Sequence, residues 1–192
     1  MNVINIGFDC DVVQRVAQIK RKALVPSKMA YGMAIADVFT KPLGKHFKVL
    51  IDDQELVEKD FMLCALANAL YYGDGYMVAP LAKVNDGYMD LCLVDRVTRA
   101  QFLKIIPKYK AGLHVDEEGN AQYPFLRYQK CKKVVVESQQ IIGVCGDGEV
   151  SPVKSVTIEI VPQAIAFSVP KGCVCKALLA KNCEENKESA SL

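Results

Sequence analysis

Two short acidic turns carry the residue types best suited to chemistry. One is Asn85-Asp86-Gly87 within APLAKVNDGYMDLCLVD (Ala79 to Asp95), where Asp86 and Asp90 flank a glycine at the entrance to an apolar run. Asn-Asp-Gly is strong reversal chemistry, so a plain hairpin turn is one reading. The other is a hard-cation site: one carboxylate and two carbonyls of a tight loop supply part of an oxygen shell, and water the rest. The spacing does not match the twelve-residue calcium loop. The second turn, Gly146-Asp147-Gly148-Glu149, follows an apolar run and sets two carboxylates between glycines. Carboxylates at the end of a buried strand lose hydration unless they bind something, and a general base or metal ligand for phosphoryl transfer has this character. A solvated turn is the plainer alternative.

The elements that must position these turns can be read from periodicity. Val3 to Gly7 (VINIG) is a short buried strand. Asp9 or Asp11 then caps a helix with Val12, Val16, Ile19 and Ala23 at helical spacing. Ser27 caps a second helix, KMAYGMAIADVF, which Pro42 stops. FKVLI is a strand, Asp52-Asp53 a turn and ELVE the returning partner; FMLCALANA (61–69) reads as a further strand among strand-forming neighbours. Thr98 caps a helix that Pro107 kinks or ends. KKVVVES, IIGVC, SVTIEIV and AIAFSV complete the strand set. Short strands without regular β-α alternation predict a mainly β (α+β) fold, an antiparallel β-sandwich of about ten strands with a few flanking helices. The domain is expected to span 1–170, and 171–192 a polar, mobile tail.

Composition narrows the class. The 192 residues carry a net charge of +2, which gives no reason to invoke nucleic acid, and no apolar run long enough to span a membrane. No signal peptide opens the chain. Most of the eight cysteines lie in apolar runs and read as core thiols; Cys173, Cys175 and Cys183 lack a second ligand pair for zinc. His46 and His114 are isolated and poor metal candidates. The chain reads as soluble and cytoplasmic. The clusters Lys20 to Lys22 with Lys28, and Lys130, Lys132 and Lys133, offer cations to anionic head groups, although such runs are more often solvated faces.

Five marks in order, NIGFDCDVV, LANALYYGDGYMVAP, AKVNDGYMDLCLV, GLHV and GDGE, resemble the C-terminal half of the diacylglycerol kinase-like lipid kinases, a group that includes bacterial diacylglycerol kinases and sphingosine kinases. One departure is GDG at 73–75 where that family has three glycines. The resemblance implies a structural Mg2+ held by the Asp86 side chain and the main chains of Lys83 and Tyr88, with Asp90 a neighbour. It also implies that Asp147 or Glu149 takes the proton from a lipid hydroxyl attacking the γ-phosphate of ATP, the other holding the base or a nucleotide-bound Mg2+. The family's nucleotide-binding domain has a Gly-Gly-Asp-Gly-Thr turn; none of the 12 glycines here are adjacent, so that domain is expected to be missing and the chain inactive alone. The implied partners are a lipid substrate, a membrane surface on the cytoplasmic side and the absent nucleotide domain. An NAD kinase-like domain and a non-catalytic lipid-binding module remain as alternatives. Tyr71 and Tyr72 could line an acyl pocket.

Overall fold

The computed structural model describes residues 1–22, 25–73 and 75–166. In chain order the elements are β1 (Val3–Gly7), α1 (Phe8–Lys22), α2 (Ser27–Thr40), β2 (Lys45–Ile51), β3 (Glu55–Ala67), β4 (Met89–Asp95), α3 (Arg99–Lys110), β5 (Leu126–Cys131), β6 (Lys133–Gly146) and β7 (Glu149–Glu159). All strand pairs are antiparallel. Among the described residues no helix is long and apolar enough to cross a membrane.

The strand count is seven rather than about ten among the described residues. ELVE and FMLCALA are one continuous strand, β3, and KKVVVES and IIGVC are one strand, β6, whose register against β7 shifts between Glu137 and Ile142. The polar run LRYQKC, β5, gives no apolar signal because it is a sheet edge. Residues 164–166 are not strand, and the rest of AIAFSV, Ala23, the 171–192 tail and its three cysteines lie outside the described residues. Asp9 and Asp11 sit inside the first turn of α1, which starts at Phe8 directly after the strand. Pro26, not Ser27, holds the cap position of α2. Thr98 does cap α3, in a reciprocal capping box with Gln101, but Pro107 does not end it: the helix continues to Lys110.

β1 and β2 lie end to end in a single lane between β3 and β6. The lane order is therefore β7, β6, β1 with β2, β3, β4, β5. Cys131 ends β5 opposite Met89 on the far edge, yet Lys133 opens β6 four lanes away. Two residues reach at most about 7 Å. The sheet must coil over on itself, which produces a small-barrel, sandwich-like body. Asp52 pins the closure: its carboxylate accepts from Lys132 N and Lys133 N, both at 2.8 Å.

Both sheet faces are buried. Val3, Leu63, Ala65, Cys92 and Val94 pack under the helices with Phe8, Val12, Val38 and Phe102. Ile6, Phe47, Cys64, Leu66, Leu91 and Leu93 form the opposite cluster, to which no helix contributes and which the sheet covers by its own curvature. Double burial removes the polar alternation of a half-exposed strand, and this is why FMLCALA is apolar throughout.

Gly7 joins β1 to α1 at φ +103°, and a Cβ there would stand 2.3 Å from the Met62 carbonyl oxygen. Neither the left-handed backbone nor the contact admits a side chain. Gly7→Ala should therefore lower stability by about 2 kcal/mol or more, read as a reduced urea midpoint with an unchanged slope.

Candidate active site

The β6–β7 hairpin carries the second acidic turn. Asp147 and Gly148 are both left-handed, at φ +47° and +97°. Asp147 donates its N–H to Val3 O at 3.1 Å. Its carboxylate accepts from Asn2 N at 3.0 and 3.1 Å and from Val3 N at 3.0 Å. The side chain is thus committed to main-chain amides at the head of β1. Such donors fix its direction. Glu149 opens β7 and is exposed. By the alternation of a strand it projects on the face opposite Val150, whose side chain packs toward α1 and lines, with Arg21 and Lys45, a 440 Å³ cleft between α1 and the hairpin.

The first acidic turn stands at the same end of the sheet. Across the lanes, Val3 pairs Ala67, Ala67 pairs Asp90 and Asp90 pairs Lys130. Asp90 is therefore two lanes from Val3, about 10 Å away. Asp90 is 1% exposed, accepts from Tyr128 Oη at 2.6 Å, and receives Lys130 Nζ at 3.2 Å. Burial raises its pKa, against the lowering pull of Tyr128 and Lys130. Asp86 accepts from Tyr88 N at 3.0 Å and from Lys130 Nζ at 2.7 Å. Burial works against the charge on Lys130, but the two aspartates outweigh it and raise its pKa.

Among the described residues no three His, Cys, Asp or Glu side chains gather to hold a metal. The turn at 83–88 supplies one carboxylate, and any further oxygen must come from main-chain carbonyls. That donor set is chemically right for a hard cation. Lys130, however, already brings a positive charge to the same carboxylate, a competitor that sequence reading took for surface decoration. Lys133 is likewise engaged, with Asp53 at 2.9 Å, and Lys132 lies 5.0 Å from the centre of the Tyr88 ring.

A third acidic group was read only as a helix cap. Asp9, in the first turn of α1, accepts a hydrogen bond from the Tyr72 hydroxyl and lines a narrow apolar cavity with Phe8, Phe102, Ile105 and Tyr109. Desolvation raises its pKa to about 6, and the Tyr72 hydrogen bond opposes the rise. Burial raises the Tyr72 and Tyr109 hydroxyls well above their ordinary range. Burial raises the Cys145 thiol, against the lowering pull of the Gly148 backbone hydrogen bond, and Asp9 and Asp147 add to the rise. Of the two tyrosines singled out from sequence, Tyr72 lines this cavity and Tyr71 is exposed. His114 is a core residue, bonded to Val78 O at 3.3 Å, with its pKa lowered by burial to about 4. His46 is a surface residue between Asp60 and Glu58. Cys10, Cys64, Cys92, Cys131 and Cys145 are free and buried, as core thiols.

Residues 2–169 match the family described as the YegS C-terminal NAD kinase beta sandwich-like domain. The chain is 26% identical over 165 residues to a Mycobacterium tuberculosis diacylglycerol kinase, covering 86% of this chain and 50% of that protein. It is 25% identical over 123 residues to a Shewanella frigidimarina protein named "Probable lipid kinase YegS-like", covering 64% of this chain and 38% of the other. A crystal structure of a diacylglycerol kinase from Bacillus anthracis strain Sterne superposes with a TM-score of 0.54 at 20% identity, over 84% of this chain and 49% of that one, a likeness of fold. The chain spans about half the length of the curated relatives it matches.

The Asp9 environment has a pH signature. Folded Asp9 keeps its proton to about pH 6, whereas the unfolded carboxyl releases it near 3.8. Between those values the folded state binds more protons, so this group's contribution to stability is full below the unfolded pKa and is lost as pH rises through the folded one. Asp9→Asn removes that slope. The stability of Asp9→Asn relative to wild type should rise by on the order of 2 kcal/mol between about pH 4 and pH 7, measured by urea unfolding of both proteins.

Proposed function

The chain belongs to the YegS and diacylglycerol kinase family, as its C-terminal β-sandwich-like domain, and on that premise we propose that it is the acceptor-side half of an ATP-dependent lipid kinase. In this reading a lipid alcohol of the diacylglycerol type attacks the γ-phosphate of ATP. The new bond is O–P, the bond broken is that to the β-phosphate oxygen, and the hydroxyl proton passes to a carboxylate of this chain. The whole enzyme works peripherally, at the cytoplasmic side of a membrane. ATP and the Mg2+ that accompanies it are held mainly by a nucleotide-binding domain of the kind found in the longer relatives.

The observation that carries the assignment is the division of labour at the Gly146–Glu149 turn. The Asp147 carboxylate is taken by the amides of Asn2 and Val3, and so serves as the positioning residue. Glu149 is exposed on the same turn, and among the described residues no cation pairs with it. It is the group we assign as general base. Phosphoryl transfer otherwise depends on orientation and charge stabilisation around the nucleotide, which half a cleft does not provide.

The turn at Lys83, Asp86 and Tyr88 is proposed as the site of a structural Mg2+, through the Asp86 carboxylate and the carbonyls of Lys83 and Tyr88. The ion would fasten the loop that leads into β4; it would take no part in the transfer. Lys130 then acts as a built-in rival for Asp86. Removing the ammonium by Lys130→Met should lower the melting temperature without Mg2+ and enlarge the gain that Mg2+ gives. Asp86→Ala should lower the melting temperature and abolish that gain. Equal Mg2+ responses in all three proteins would remove the metal from this turn.

Activity is tested by combining the purified chain with a nucleotide-binding domain from the family and following ATP-dependent phosphorylation of diacylglycerol, with NAD as a competing acceptor. Neither half alone should turn over. Glu149→Gln should lower the rate of the pair by about 10²–10⁴-fold with an unchanged melting curve. Asp147→Asn should lower rate and stability together. Phosphorylation of NAD and not of diacylglycerol would favour the NAD kinase-like alternative.

A further inference from the structure

Helix α2 has an apolar surface on its outer side as well as its inner one. Ala30, Ala34 and Val38 are buried against the core. On the other side Met29 is 61% exposed and Met33 52% exposed, with Gly32 and Ala36 also open to solvent. Positions 29, 32, 33 and 36 form one stripe at helical spacing, without a charge. The single acid of the helix, Asp37, is neutralised by Arg15 at 2.9 Å and Lys41 at 3.0 Å.

The cations stand at the adjoining end. Lys20 and Arg21 are exposed in the last turn of α1. The connection from α1 to α2 is only residues 23–26. Such a link spans at most about 18 Å, so both cations lie toward the end of the helix pair where Met29 begins the stripe. The other basic run is spent internally, with Lys130 on Asp86 and Asp90 and Lys133 on Asp53. The α1–α2 end is therefore a place where positive charge and exposed apolar surface coincide.

We propose that this face of α2, with Lys20 and Arg21, docks on an anionic lipid bilayer. Flexible methionines enter the acyl boundary and the two cations meet the head groups, the arrangement of an interfacial amphipathic helix. A protein partner would be expected to answer these features with a shaped surface. The stripe is shallow and built from small and unbranched side chains, which suits a fluid surface better. Its inner side leads to the cavity: Phe39 of α2 meets Phe102 in a tilted contact, ring centres 5.5 Å apart, and Phe102 meets Phe8 likewise at 4.7 Å, both of the latter lining the space beside Asp9. The surface thus deepens the lipid-kinase reading, and rests on it for the cargo, by seating on the bilayer a helix whose Phe39 touches the wall of the apolar cavity.

The test is co-sedimentation of the purified chain with phosphatidylcholine vesicles, with and without phosphatidylglycerol, at low and high salt. It needs neither nucleotide nor turnover, so failure of the kinase reading leaves it intact. The chain should bind the phosphatidylglycerol vesicles, and more weakly at high salt. Lys20→Glu with Arg21→Glu should reduce that partitioning roughly tenfold or more. Met29→Asp with Met33→Asp should abolish it while leaving the melting temperature unchanged, since both side chains are exposed. Absence of binding by the wild type, or equal binding by both double variants, overturns the proposal. So does a change in oligomeric state caused by the methionine pair, which would make the stripe a contact between copies of the chain.

Discussion

The site hangs from one five-residue strand. β1 shares its lane with β2, and is held by β3 on one side, β6 on the other and the Asp147 carboxylate at its head. At its tail, Gly7 passes the chain straight into α1 with no connecting loop. The acidic turn, the start of the helix that carries Asp9, and the row of residues reaching Asp90 are consequently referenced to the same backbone. Any displacement of β1 would move all of them together. A charged carboxylate held by two consecutive main-chain amides is a stiff joint, because the donors cannot rotate away from it.

Four carboxylates near this strand end in four environments. Asp147 is exposed and accepts from two main-chain amides, and Asp90 is buried between a phenol and an ammonium. Asp9 sits in an apolar cavity beneath a tyrosine hydroxyl, and Glu149 faces water. Glu149 is the one of the four whose side chain has no hydrogen bond or ion pair among the described residues, which is what supports its assignment in the proposed function. Residue type makes all four equivalent candidates for proton transfer; their surroundings separate them. This is the general way a fold assigns roles among like groups.

Much of the fold was legible because local signals agreed. VINIG closing at a glycine, the Thr98 cap, the Asp52-Asp53 reversal and the strand character of FMLCALA all match the structure. The pattern failed where identity depends on distant neighbours. β5 gives no strand signal because one long edge is open to solvent, and β6 reads as two strands because the register shift near 138–141 breaks its apolar run. The candidate site divides the same way. Both acidic turns were visible as glycine-flanked carboxylates, but nothing local distinguishes Asp147 from Glu149, since the amides that bind Asp147 lie about 145 positions away. Asp9 passed for a helix cap because its partner, Tyr72, comes from another part of the chain. Lys130 passed for a surface cation because its two aspartates stand on the neighbouring strand and turn.

Folding and catalysis make different demands on this chain. One sheet face is sealed by α1, α2 and α3 and the other by the sheet's own coil, so the apolar core closes within the described residues. Nothing in that core calls for a further domain to cover it. The polar corner at the end of the sheet is the reverse case. In the proposed reaction its carboxylates serve a phosphoryl transfer whose charge must be stabilised by donors pointing at it from the nucleotide side. A unit whose hydrophobic core is complete and whose polar site is half-built can be folded and silent at once. Under the proposed function, low activity in isolation and a cooperative unfolding transition would be two expressions of the same architecture.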